Sequence, residues 1–497
     1  MKEASKFEKV AARCWNILNE GKPFTPVFTV GVFLLFHLAN WHDIDFWNHA
    51  GITFLTLLPI LLIYYHYDFP LHLRTFLWLP LLASIFIFSP ASIGLYGLAL
   101  GLYFFFTVIF WGTIYYHLRI GTTWTNYRRF WKLVLKNSDS TSGNAQEQVP
   151  KVLLLLTIAA FVHTYRSSPI YFWQDQWVVY VLFLLLLALY SAVIHRVGFN
   201  WKPDPLPYTD NADPSLHMDV DRVFVLVVDG CRKDRLAEAH TPFMDWVKTE
   251  GTEFTQMETI YPDRTVVCFT SMFTGTYPFE HGIQSNMVWK QGIRCESLFD
   301  SLRKEGKVGR LLGIAHLVDS MGDDVDTVTA VMHNDRADGH IIDRAKQVMQ
   351  KHDPDFMVVQ LIATDQTGHS RGALYEEYKQ KIEEADAHLQ GFYEWLKENQ
   401  YWTDRSVMMI CADHGQSDGI GGHGHLDEGE RFVPFMMMGH GIQKGVQVDE
   451  LKSLVSITPT VSQLLGVPLP NKSRGPVLWE AIRHPQHVTD KGESSNE

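Results

Sequence analysis

Hydrophobic residues are distributed unevenly along this chain of 497 residues. Up to about residue 200 the sequence is dominated by Leu, Ile, Phe, Tyr and Trp, whereas beyond about residue 220 short apolar runs alternate with charged and glycine-rich stretches. Apolar stretches in the first part cover residues 24–41, 50–66, 75–90, 92–117, 151–166 and 176–196. Because a membrane-spanning helix needs about 20 apolar residues, this pattern predicts an α-helical membrane domain with about six spans.

Two of these stretches are short for a span. The stretch of residues 75–90 contains Pro80, and the stretch of residues 151–166 is also short for a span. Either one could be a re-entrant or tilted segment. The alternative is that the apolar stretches are buried helices of a soluble domain. Residues 178–194, VVYVLFLLLLALYSAVI, have no polar face to present to water, and this favours the membrane.

The second part of the chain follows a different pattern. Continuous apolar runs, which are typical of buried parallel strands, occur at residues 223–230, 356–365 and 407–415. Helical patterns lie between or after them, at residues 241–250 and 373–398. This alternation predicts an α/β domain with a mostly parallel central sheet and helices on both faces.

Composition predicts where these parts meet. Residues 1–196 form the multi-span transmembrane domain, and residues 197–219, which are rich in Pro, Asp and Asn, form a linker. The α/β domain covers residues 220–483. The polar tail of residues 484–497 is predicted to be disordered.

Positive charges indicate an orientation in the membrane. They precede the first apolar stretch, separate the fourth from the fifth and follow the sixth, at Lys2, Lys6, Lys9, Arg13, Lys22, Arg119, Arg128, Arg129, Lys132, Lys136, Arg196 and Lys202. Because such charges concentrate on the cytoplasmic side, six spans would place both termini and the α/β domain in the cytoplasm. One miscounted span would place the α/β domain on the other side.

The segment between the fourth and fifth stretches leaves two interpretations open. Residues 124–137, TNYRRFWKLVLKNS, mix aromatic and basic residues at helical spacing. They could form an interfacial helix on anionic lipid head groups, or they could be a solvated connecting loop.

Net charge and cysteine usage narrow the class of protein further. The net charge of −12 argues against binding to a nucleic-acid polymer, which requires a basic face. The cysteines are Cys14, Cys231, Cys268, Cys295 and Cys411. Their odd number and the lack of a CxxC pair favour free thiols over a disulfide framework, in agreement with a reducing compartment.

Acidic residues and histidines follow each of the predicted strands. They are Asp229 after the first, Asp365 and His369 after the second, and Asp413, His414 and, a short loop later, His423 after the third. Ligands of parallel sheets collect at the carboxyl ends of the strands, so these side chains should meet at one edge. A mixed set of carboxylates and imidazoles suits Zn²⁺ or Mn²⁺ better than Ca²⁺.

A candidate nucleophile lies between the first two of these sites. Thr265 follows a proline turn and begins an apolar, helical stretch in YPDRTVVCFTSMF. A helix N-terminus favours an anion, and a divalent metal ion would lower the pKa of a bound hydroxyl. The alternative is that Thr265 is only a helix N-cap. The residues alone support the nucleophile and the N-cap about equally.

Taken together, the motifs of the second part resemble a known superfamily. They are a strand followed by Asp-Gly, YPxxT with TGxYPxxHGI, DxxGH, and ADHG followed by GGHG. In this combination they resemble the alkaline phosphatase superfamily, in particular the type I phosphodiesterase/nucleotide pyrophosphatase family, with relatives among the lipid-anchor ethanolamine phosphate transferases. The resemblance covers residues 221–470 and none of the membrane part.

The resemblance implies an alkaline-phosphatase-like catalytic domain that binds two divalent metal ions, Zn²⁺ or alternatively Mn²⁺. One ion would be held by Asp229, Thr265, Asp413 and His414, and the other by Asp365, His369 and His423. Thr265 would attack phosphorus and form a phospho-threonine intermediate, and the amide of Asn286 would donate to a phosphate oxygen. His425 is an alternative to His423 as a ligand.

The sequence departs from the family pattern in places. Gln416 stands where relatives commonly have Met, and Ser456 stands where they often have Asp. Neither residue is expected to touch a proposed ligand. The sulfatase pattern, in which a Cys or Ser is followed by x-Pro-x-Arg, is missing around Thr265. This argues against a formylglycine sulfatase.

The predicted function is a membrane-embedded, two-metal phosphodiesterase or phosphohydrolase. Its substrate would be a lipid head group or another phosphodiester. Membrane lipids would surround the transmembrane domain of the protein. One alternative is a transferase of a phosphoethanolamine-like head group. An alternative from another class is a catalytically inactive membrane scaffold or transport protein. The sequence does not indicate the head group or the oligomeric state, although residues 284–350 are expected to contribute to specificity.

Overall fold

The structure is a computed structural model. It describes residues 21–67, 69, 71–115, 124–126, 145–198, 203–286, 292–328, 334–418, 422–424 and 426–483. Several sequence predictions fall outside these residues. They concern the basic residues before Gly21, most of the segment 124–137, the tail 484–497 and His425.

Helices account for nearly all of the described residues before residue 199. They are α1 (Gly21–Phe36), α2 (Ile44–His66), α3 (Trp78–Phe88), α4 (Ile93–Phe104), α5 (Ala145–Thr164), α6 (Pro169–Asp175) and α7 (Trp177–Gly198). A 3₁₀ segment, Leu71–Leu77, leads into α3, and π-helical turns over Phe105–Tyr115 continue α4. Helical structure therefore occurs at each of the apolar stretches.

The predicted count of six spans is not confirmed. Among the described residues, four helices are long and apolar enough to cross a membrane: Ile44–His66, Ile93–Phe110, Ala145–Ser167 and Trp177–Gly198. The other two apolar helices, Phe24–Phe36 and Leu73–Phe88, are shorter. Length and composition thus support four spans, because a helix of 16 residues or fewer falls short of the hydrocarbon core at 1.5 Å per residue.

The outer surface of this helix bundle is apolar. Phe86 and Ile93 are 91% and 90% exposed, and Leu185, Leu186 and Leu189 on α7 are more than half exposed. Apolar side chains at such exposure are unfavourable in water and favourable in lipid. The bundle therefore has the surface of a membrane domain.

The second part of the chain is built around a large sheet. Its strands are β1 (Arg222–Val228), β2 (Gly251–Phe254), β4 (Gly309–Ile314), β5 (Val325–Val328), β6 (Phe356–Leu361), β7 (Ser406–Cys411), β9 (Phe435–Gly439) and β10 (Val446–Val448). A smaller sheet contains β3 (Met257–Glu258), β8 (Phe432–Val433) and β11 (Lys452–Ser453).

The predicted parallel core of the large sheet is present. The strand order is β10-β2-β9-β7-β1-β6-β4-β5, and the run from β7 to β5 is parallel throughout. The strand β9 pairs antiparallel with both β2 and β7. The central strands β1, β6 and β7 are almost fully buried, which explains their continuous apolar sequences.

Helices flank the large sheet. They are α8 (Lys233–Glu238), α9 (Pro242–Glu250), α10 (Thr265–Thr274), α11 (Pro278–His281), α12 (Leu298–Lys304), α13 (Val318–Met321), α14 (Asn334–His352), α15 (Ala363–Arg371), α16 (Glu376–Glu398), α17 (Glu428–Arg431) and α18 (Ile457–Leu465). Their apolar faces and the strands form one continuous core. The described part of the chain beyond residue 220 is thus an α/β arrangement with a mostly parallel central sheet.

The segment predicted as a linker is attached to the α/β part in its described residues. Tyr208 pairs with Arg474 in an isolated antiparallel bridge, and the guanidinium of Arg474 stacks 4.1 Å from the Tyr208 ring. Asn211 exchanges side-chain hydrogen bonds with the backbone of Val477, at 2.8 and 3.1 Å. These contacts hold the segment against the sheet domain.

Candidate metal centre and nucleophile

The first candidate ligand follows the central strand of the large sheet. β1 ends at Val228, and Asp229 comes next with a side chain that is buried. Gly230 turns the chain with a φ of +66°, and a Cβ at this position would lie 2.8 Å from Oδ1 of Asp365. Glycine therefore allows the turn after β1 to approach Asp365 closely, which brings two carboxylates together.

Asp365 and His369 lie on one face of α15. Residues four apart in a helix are neighbours on its surface, and Nε2 of His369 lies 3.3 Å from Oδ2 of Asp365. The apolar run of residues 356–365 predicts a strand that ends at Asp365. That boundary is wrong, because β6 ends at Leu361 and Asp365 belongs to the first turn of the helix.

The early end of β6 has a tertiary cause. The buried carboxylate of Asp338 accepts hydrogen bonds from the backbone N–H groups of Ile362 and Ala363, at 2.9 and 3.1 Å. It thereby satisfies two of the amides that a helix N-terminus leaves without an intrahelical partner. Apolar periodicity in residues 356–365 does not reveal this contact, since Asp338 comes from another helix.

Asp413 and His414 follow β7 and are fully buried. Nε2 of His414 lies 3.5 Å from Oδ1 of Asp229 and 3.4 Å from Oδ2 of Asp413. Nδ1 of His414 lies 2.9 Å from the carbonyl oxygen of Gly415, which can only accept a hydrogen bond. The proton therefore belongs on Nδ1, and the lone pair of Nε2 faces the two carboxylates.

His423 lies in the loop after β7, close to Asp365 and His369. Its Nε2 lies 3.2 Å from Nε2 of His369 and 3.7 Å from Oδ1 of Asp365. Its Nδ1 donates to the carbonyl oxygen of Asp263 at 2.6 Å, so Nε2 again carries the lone pair. Burial, and then the neighbouring imidazole of His414, lowers the pKa of His423 well below its usual value. A neutral imidazole is the form that binds metal ions.

These side chains form two compact groups. The first group is Asp229, Asp413 and His414, and the second group is Asp365, His369 and His423. Within each group the donor atoms lie within 4.8 Å of one another. Each set suits a divalent ion such as Zn²⁺ or Mn²⁺ through its mixture of carboxylate and imidazole. The division into two groups is the same as that implied by the family resemblance.

The first group has features that a divalent cation would explain. Oδ1 of Asp229 and Oδ2 of Asp413 are buried and have no hydrogen-bond partner among the described residues. Burial, followed by the mutual repulsion of the carboxylates, raises the pKa of Asp229 well above its usual value, and burial also raises the pKa of Asp413. Buried carboxylates without counter-charges are unfavourable, so the residues present fit a bound cation.

Thr265 lies beside the first group at the start of α10. Its hydroxyl oxygen is 3.3 Å from Nε2 of His414. Arg264 occupies the N-cap position, and Thr265 is the first residue inside the helix. The alternative interpretation of Thr265 as an N-cap is therefore not supported by the helix boundary. The hydroxyl faces the candidate metal ligands instead.

Asn286 lies next to the same helix terminus. Its side-chain oxygen accepts a hydrogen bond of 3.0 Å from the backbone N–H of Val266. This contact with the residue that follows Thr265 fixes the orientation of the Asn286 side chain. Any contact of Asn286 with a phosphate oxygen would therefore come from its amide nitrogen, which is the donor that the resemblance implies.

Two glutamines contact candidate ligands, and neither contact was predicted from the sequence. The expectation that Gln416 touches no proposed ligand is wrong. Nε2 of Gln360 donates to Oδ2 of Asp229 at 2.5 Å, and Nε2 of Gln416 donates to Oδ1 of Asp365 at 2.6 Å. Gln360 is a polar residue within the apolar run of β6 and is fully buried. A polar residue inside a buried apolar strand was the signal in the sequence that could have revealed the role of Gln360, because a buried amide needs a hydrogen-bond partner.

Family models match the α/β part of the chain. Residues 223–308 match the model described as Type I phosphodiesterase / nucleotide pyrophosphatase. Residues 304–469 match the model of the Metalloenzyme superfamily. The predicted resemblance to this group of metal-dependent phosphoester enzymes is thereby confirmed.

Curated relatives match over shorter regions. The GPI ethanolamine phosphate transferase 2 of Schizosaccharomyces pombe is 27% identical over 150 residues, which are 27% of this chain and 20% of that protein. The phosphopentomutase of Alkaliphilus metalliredigens is 26% identical over 174 residues, which are 35% of this chain and 40% of that protein. The matches thus span less than half the length of these relatives.

A solved structure with a similar fold is murine ectonucleotide pyrophosphatase / phosphodiesterase 5. It is 14% identical in sequence, with a TM-score of 0.43, and the match covers 50% of this chain and 96% of that chain.

Proposed function

We propose that this chain is a membrane-embedded, two-metal phosphodiesterase that uses Thr265 as its nucleophile. The observation that carries the proposal is the position of the Thr265 hydroxyl, 3.3 Å from His414, beside two groups of three metal-binding side chains. The first group and Thr265 would hold one divalent ion, and the second group would hold the other. Two such ions would neutralise charge on a phosphoryl group and lower the pKa of the Thr265 hydroxyl.

The protein residues would carry out a double displacement at phosphorus. The Thr265 hydroxyl loses its proton to the solvent, and its oxygen forms a bond to phosphorus while the bond from phosphorus to the first alcohol breaks. That alcohol leaves with a proton from the solvent. The start of α10 supports the negative charge of the phosphoryl group through its backbone N–H groups and dipole. The amide of Asn286 donates to a phosphoryl oxygen. Water then cleaves the phospho-threonine and restores the hydroxyl.

The helix bundle makes a lipid head group or another phosphodiester near the membrane the favoured substrate. Tyr261, four residues before Thr265, packs against the apolar core of the bundle. The segment that carries the nucleophile is thus in direct contact with the part of the chain that has a lipid-compatible surface. A membrane substrate would reach Thr265 without leaving the vicinity of the bilayer.

A second candidate function is the transfer of a phosphoethanolamine-like head group to an acceptor. It is favoured by the match to a GPI ethanolamine phosphate transferase. The chemistry is the same up to the phospho-threonine, and an acceptor alcohol then takes the place of water. Product formation with water alone would indicate a hydrolase, whereas product formation only after addition of an acceptor would indicate a transferase.

The test compares purified Thr265→Ala with the unaltered chain. We expect turnover of bis(p-nitrophenyl) phosphate to fall about 10³-fold or more, as removal of a covalent nucleophile does in other enzymes. Metal content, measured by inductively coupled plasma mass spectrometry, should stay largely intact because six of the seven ligands remain. Thr270→Ala is the matched control, since it removes a buried hydroxyl of the same helix. Among the described residues that hydroxyl donates to the backbone oxygen of Val266.

Two outcomes would overturn the proposal. Normal turnover by Thr265→Ala would exclude Thr265 as the nucleophile. Less than one bound metal ion per chain in the unaltered protein, together with no turnover of any phosphodiester, would instead favour the inactive scaffold or transport protein.

A further inference from the structure

Three histidines meet at one end of the helix bundle, outside the two groups of candidate ligands beside Thr265. His37 follows the end of α1, His49 lies in the second turn of α2, and His163 lies in the last turn of α5. The ring centre of His163 is 5.1 Å from that of His37 and 6.1 Å from that of His49. These three residues are called the histidine cluster below. Ionisable side chains within a membrane domain are uncommon and typically functional.

His163 has apolar neighbours and a nitrogen that needs a partner. The rings of Phe33 and Phe46 lie edge to face with it, at 5.3 and 5.6 Å between ring centres. Nδ1 of His163 is inaccessible to water and has no hydrogen-bond partner within the described part of the chain. Such a nitrogen is unfavourable, so packing among aromatic rings does not by itself account for a histidine at this position.

The pair His37 and His163 has the geometry of a pair in the second group of candidate ligands. The ring planes of His37 and His163 are inclined by 60° at 5.1 Å between ring centres. Those of His369 and His423 are inclined by 56° at the same distance of 5.1 Å. Two imidazoles that bind one tetrahedral ion through bonds of about 2.1 Å have ring centres about 5 Å apart. The spacing of His37 and His163 therefore suits a shared metal ion.

The tautomer of His37 also suits metal binding. Its Nδ1 lies 2.9 Å from the carbonyl oxygen of Phe33, which can only accept a hydrogen bond. Nε2 of His37 therefore carries the lone pair. His414 and His423 have the same arrangement, with Nδ1 against a backbone carbonyl. A contact of this kind orients an imidazole that binds a metal ion through its other nitrogen.

His49 is the most distant member of the histidine cluster. Among the described residues, the donor atoms of the three imidazoles do not all lie within the 4.8 Å that joins the members of the first and second groups. His49 is partly exposed, so its side chain is free to rotate toward the other two. His37 and His163 are also partly exposed, which gives an ion access to the histidine cluster.

The histidine cluster lies at the end of the bundle that is opposite to the α/β part. α2 and α7 end together, because the ring centre of Tyr67, just after α2, is 5.6 Å from that of His195, near the end of α7. The α/β part follows the end of α7, whereas His49 lies near the start of α2. An ion bound by the histidine cluster would therefore lie on the other side of the membrane from Thr265.

We propose that the histidine cluster binds a Zn²⁺ ion, or another late first-row divalent ion with the same preference for imidazole, through one nitrogen of each ring. A water molecule completes the tetrahedral coordination. Three neutral nitrogen ligands favour such an ion over Ca²⁺ and Mg²⁺, which prefer oxygen. The ion joins the ends of α1, α2 and α5, which are far apart in sequence, and it is separate from the two ions proposed for catalysis.

The first test measures the zinc content of the purified full chain in detergent micelles. The chain and its variants are equilibrated with Zn²⁺, separated from unbound ion and analysed by inductively coupled plasma mass spectrometry. His163→Phe, which suits the aromatic surroundings, should hold about one Zn²⁺ ion per chain fewer than the unaltered chain. The control His66→Phe, which replaces an exposed histidine at the other end of α2, should lose none. Equal zinc content in His163→Phe and the unaltered chain would overturn the proposal, as would an equal loss in both variants.

The second test needs no variant, so it holds even if His163→Phe does not fold. Diethyl pyrocarbonate modifies accessible imidazoles, and peptide mass spectrometry reports the modified positions. Zn²⁺ should slow modification of His37, His49 and His163 several-fold, while His66 should stay reactive. Ca²⁺ should protect none of them. Equal modification of the histidine cluster with and without Zn²⁺ would contradict the site.

This inference goes beyond the proposed catalytic function and can fail separately from it. The combined variant Asp229→Asn/Asp365→Asn removes one carboxylate from each group of candidate ligands. Protection of the histidine cluster by Zn²⁺ should persist in this variant, because the cluster uses none of those residues. Loss of protection there would overturn the assignment of a separate site.

Discussion

The side-chain amide of Gln360 donates a hydrogen bond to Oδ2 of Asp229 between the adjacent parallel strands β6 and β1. The other end of the same amide accepts a hydrogen bond of 2.9 Å from the backbone N–H of Ile314, at the end of β4. Three strands thus hold the Asp229 carboxylate in one orientation. Its second oxygen is left to face His414 and the first group of candidate ligands.

Replacing Gln360 should therefore weaken metal binding without removing a ligand. In Gln360→Met the Asp229 carboxylate loses its donor and the N–H of Ile314 loses its acceptor. We expect the affinity for the ion in the first group to fall about 10- to 100-fold, the usual effect of removing a partner that orients a ligand. Titration of the metal-free protein with Zn²⁺ measures this change.

Gln347→Met is the control for the Gln360 variant, because Gln347 is exposed on α14 and accepts a hydrogen bond from Arg344. It should bind Zn²⁺ as the unaltered chain does. Unchanged affinity in Gln360→Met as well would show that the hydrogen bond to Asp229 does not orient the carboxylate for binding.

Because His281 is buried, we expect the folded protein to lose stability in acid. It is fully buried, Nε2 lies 2.9 Å from the Ser271 hydroxyl, and Nδ1 accepts a hydrogen bond of 3.0 Å from the N–H of Ile283. Burial lowers the pKa of His281 to about 3. The unfolded chain binds this proton near pH 6.5 while the folded chain does not, so stability falls as the pH drops below about 6.5, by about 2 kcal/mol at pH 5.

Thermal unfolding at pH 7.5 and pH 5 checks this prediction. The acid-induced drop in Tm should be smaller in His281→Gln, which has no group that titrates in this range, even if that variant is less stable at pH 7.5. His240→Gln, in which an exposed histidine is replaced, should keep the full drop. Equal drops in all three proteins would mean that His281 is not the source.

The side of the membrane on which the α/β part lies is predicted from the span count and the positive charges. Four spans and six spans are both even numbers, so either count places the N-terminus and the α/β part on the same side. The distribution of Lys and Arg favours the cytoplasm for that side. In sealed right-side-out vesicles, we expect added protease to leave the α/β part intact until detergent is supplied. Degradation without detergent would show that the α/β part lies outside.

Much of the candidate site could be predicted because strand ends follow a simple rule. Asp229 directly follows β1, the pair Asp413–His414 follows β7 after one residue, and parallel strands bring their carboxyl ends to one edge. His423 also lies where the family resemblance implies. That these residues bind metal remains a prediction, although the structure places them together.

Features that depend on distant contacts could not be predicted in this way. The start of α15 depends on Asp338, and the orientation of Asp229 depends on Gln360. The count of six spans is not confirmed, because apolar composition reveals that a segment is buried in lipid or protein but does not reveal its helical length. Leu73–Phe88 is such a case, since it is apolar and helical yet short for a span.

The central claim is that Thr265 forms a covalent bond to phosphorus. The most direct measurement is the stereochemical course of hydrolysis of a phosphorothioate diester that is chiral at phosphorus, carried out in ¹⁸O-labelled water. Each in-line displacement inverts the configuration, so attack by Thr265 followed by attack by water predicts overall retention. Overall inversion would mean that water attacks the substrate directly, and it would contradict the assignment of Thr265 as the nucleophile.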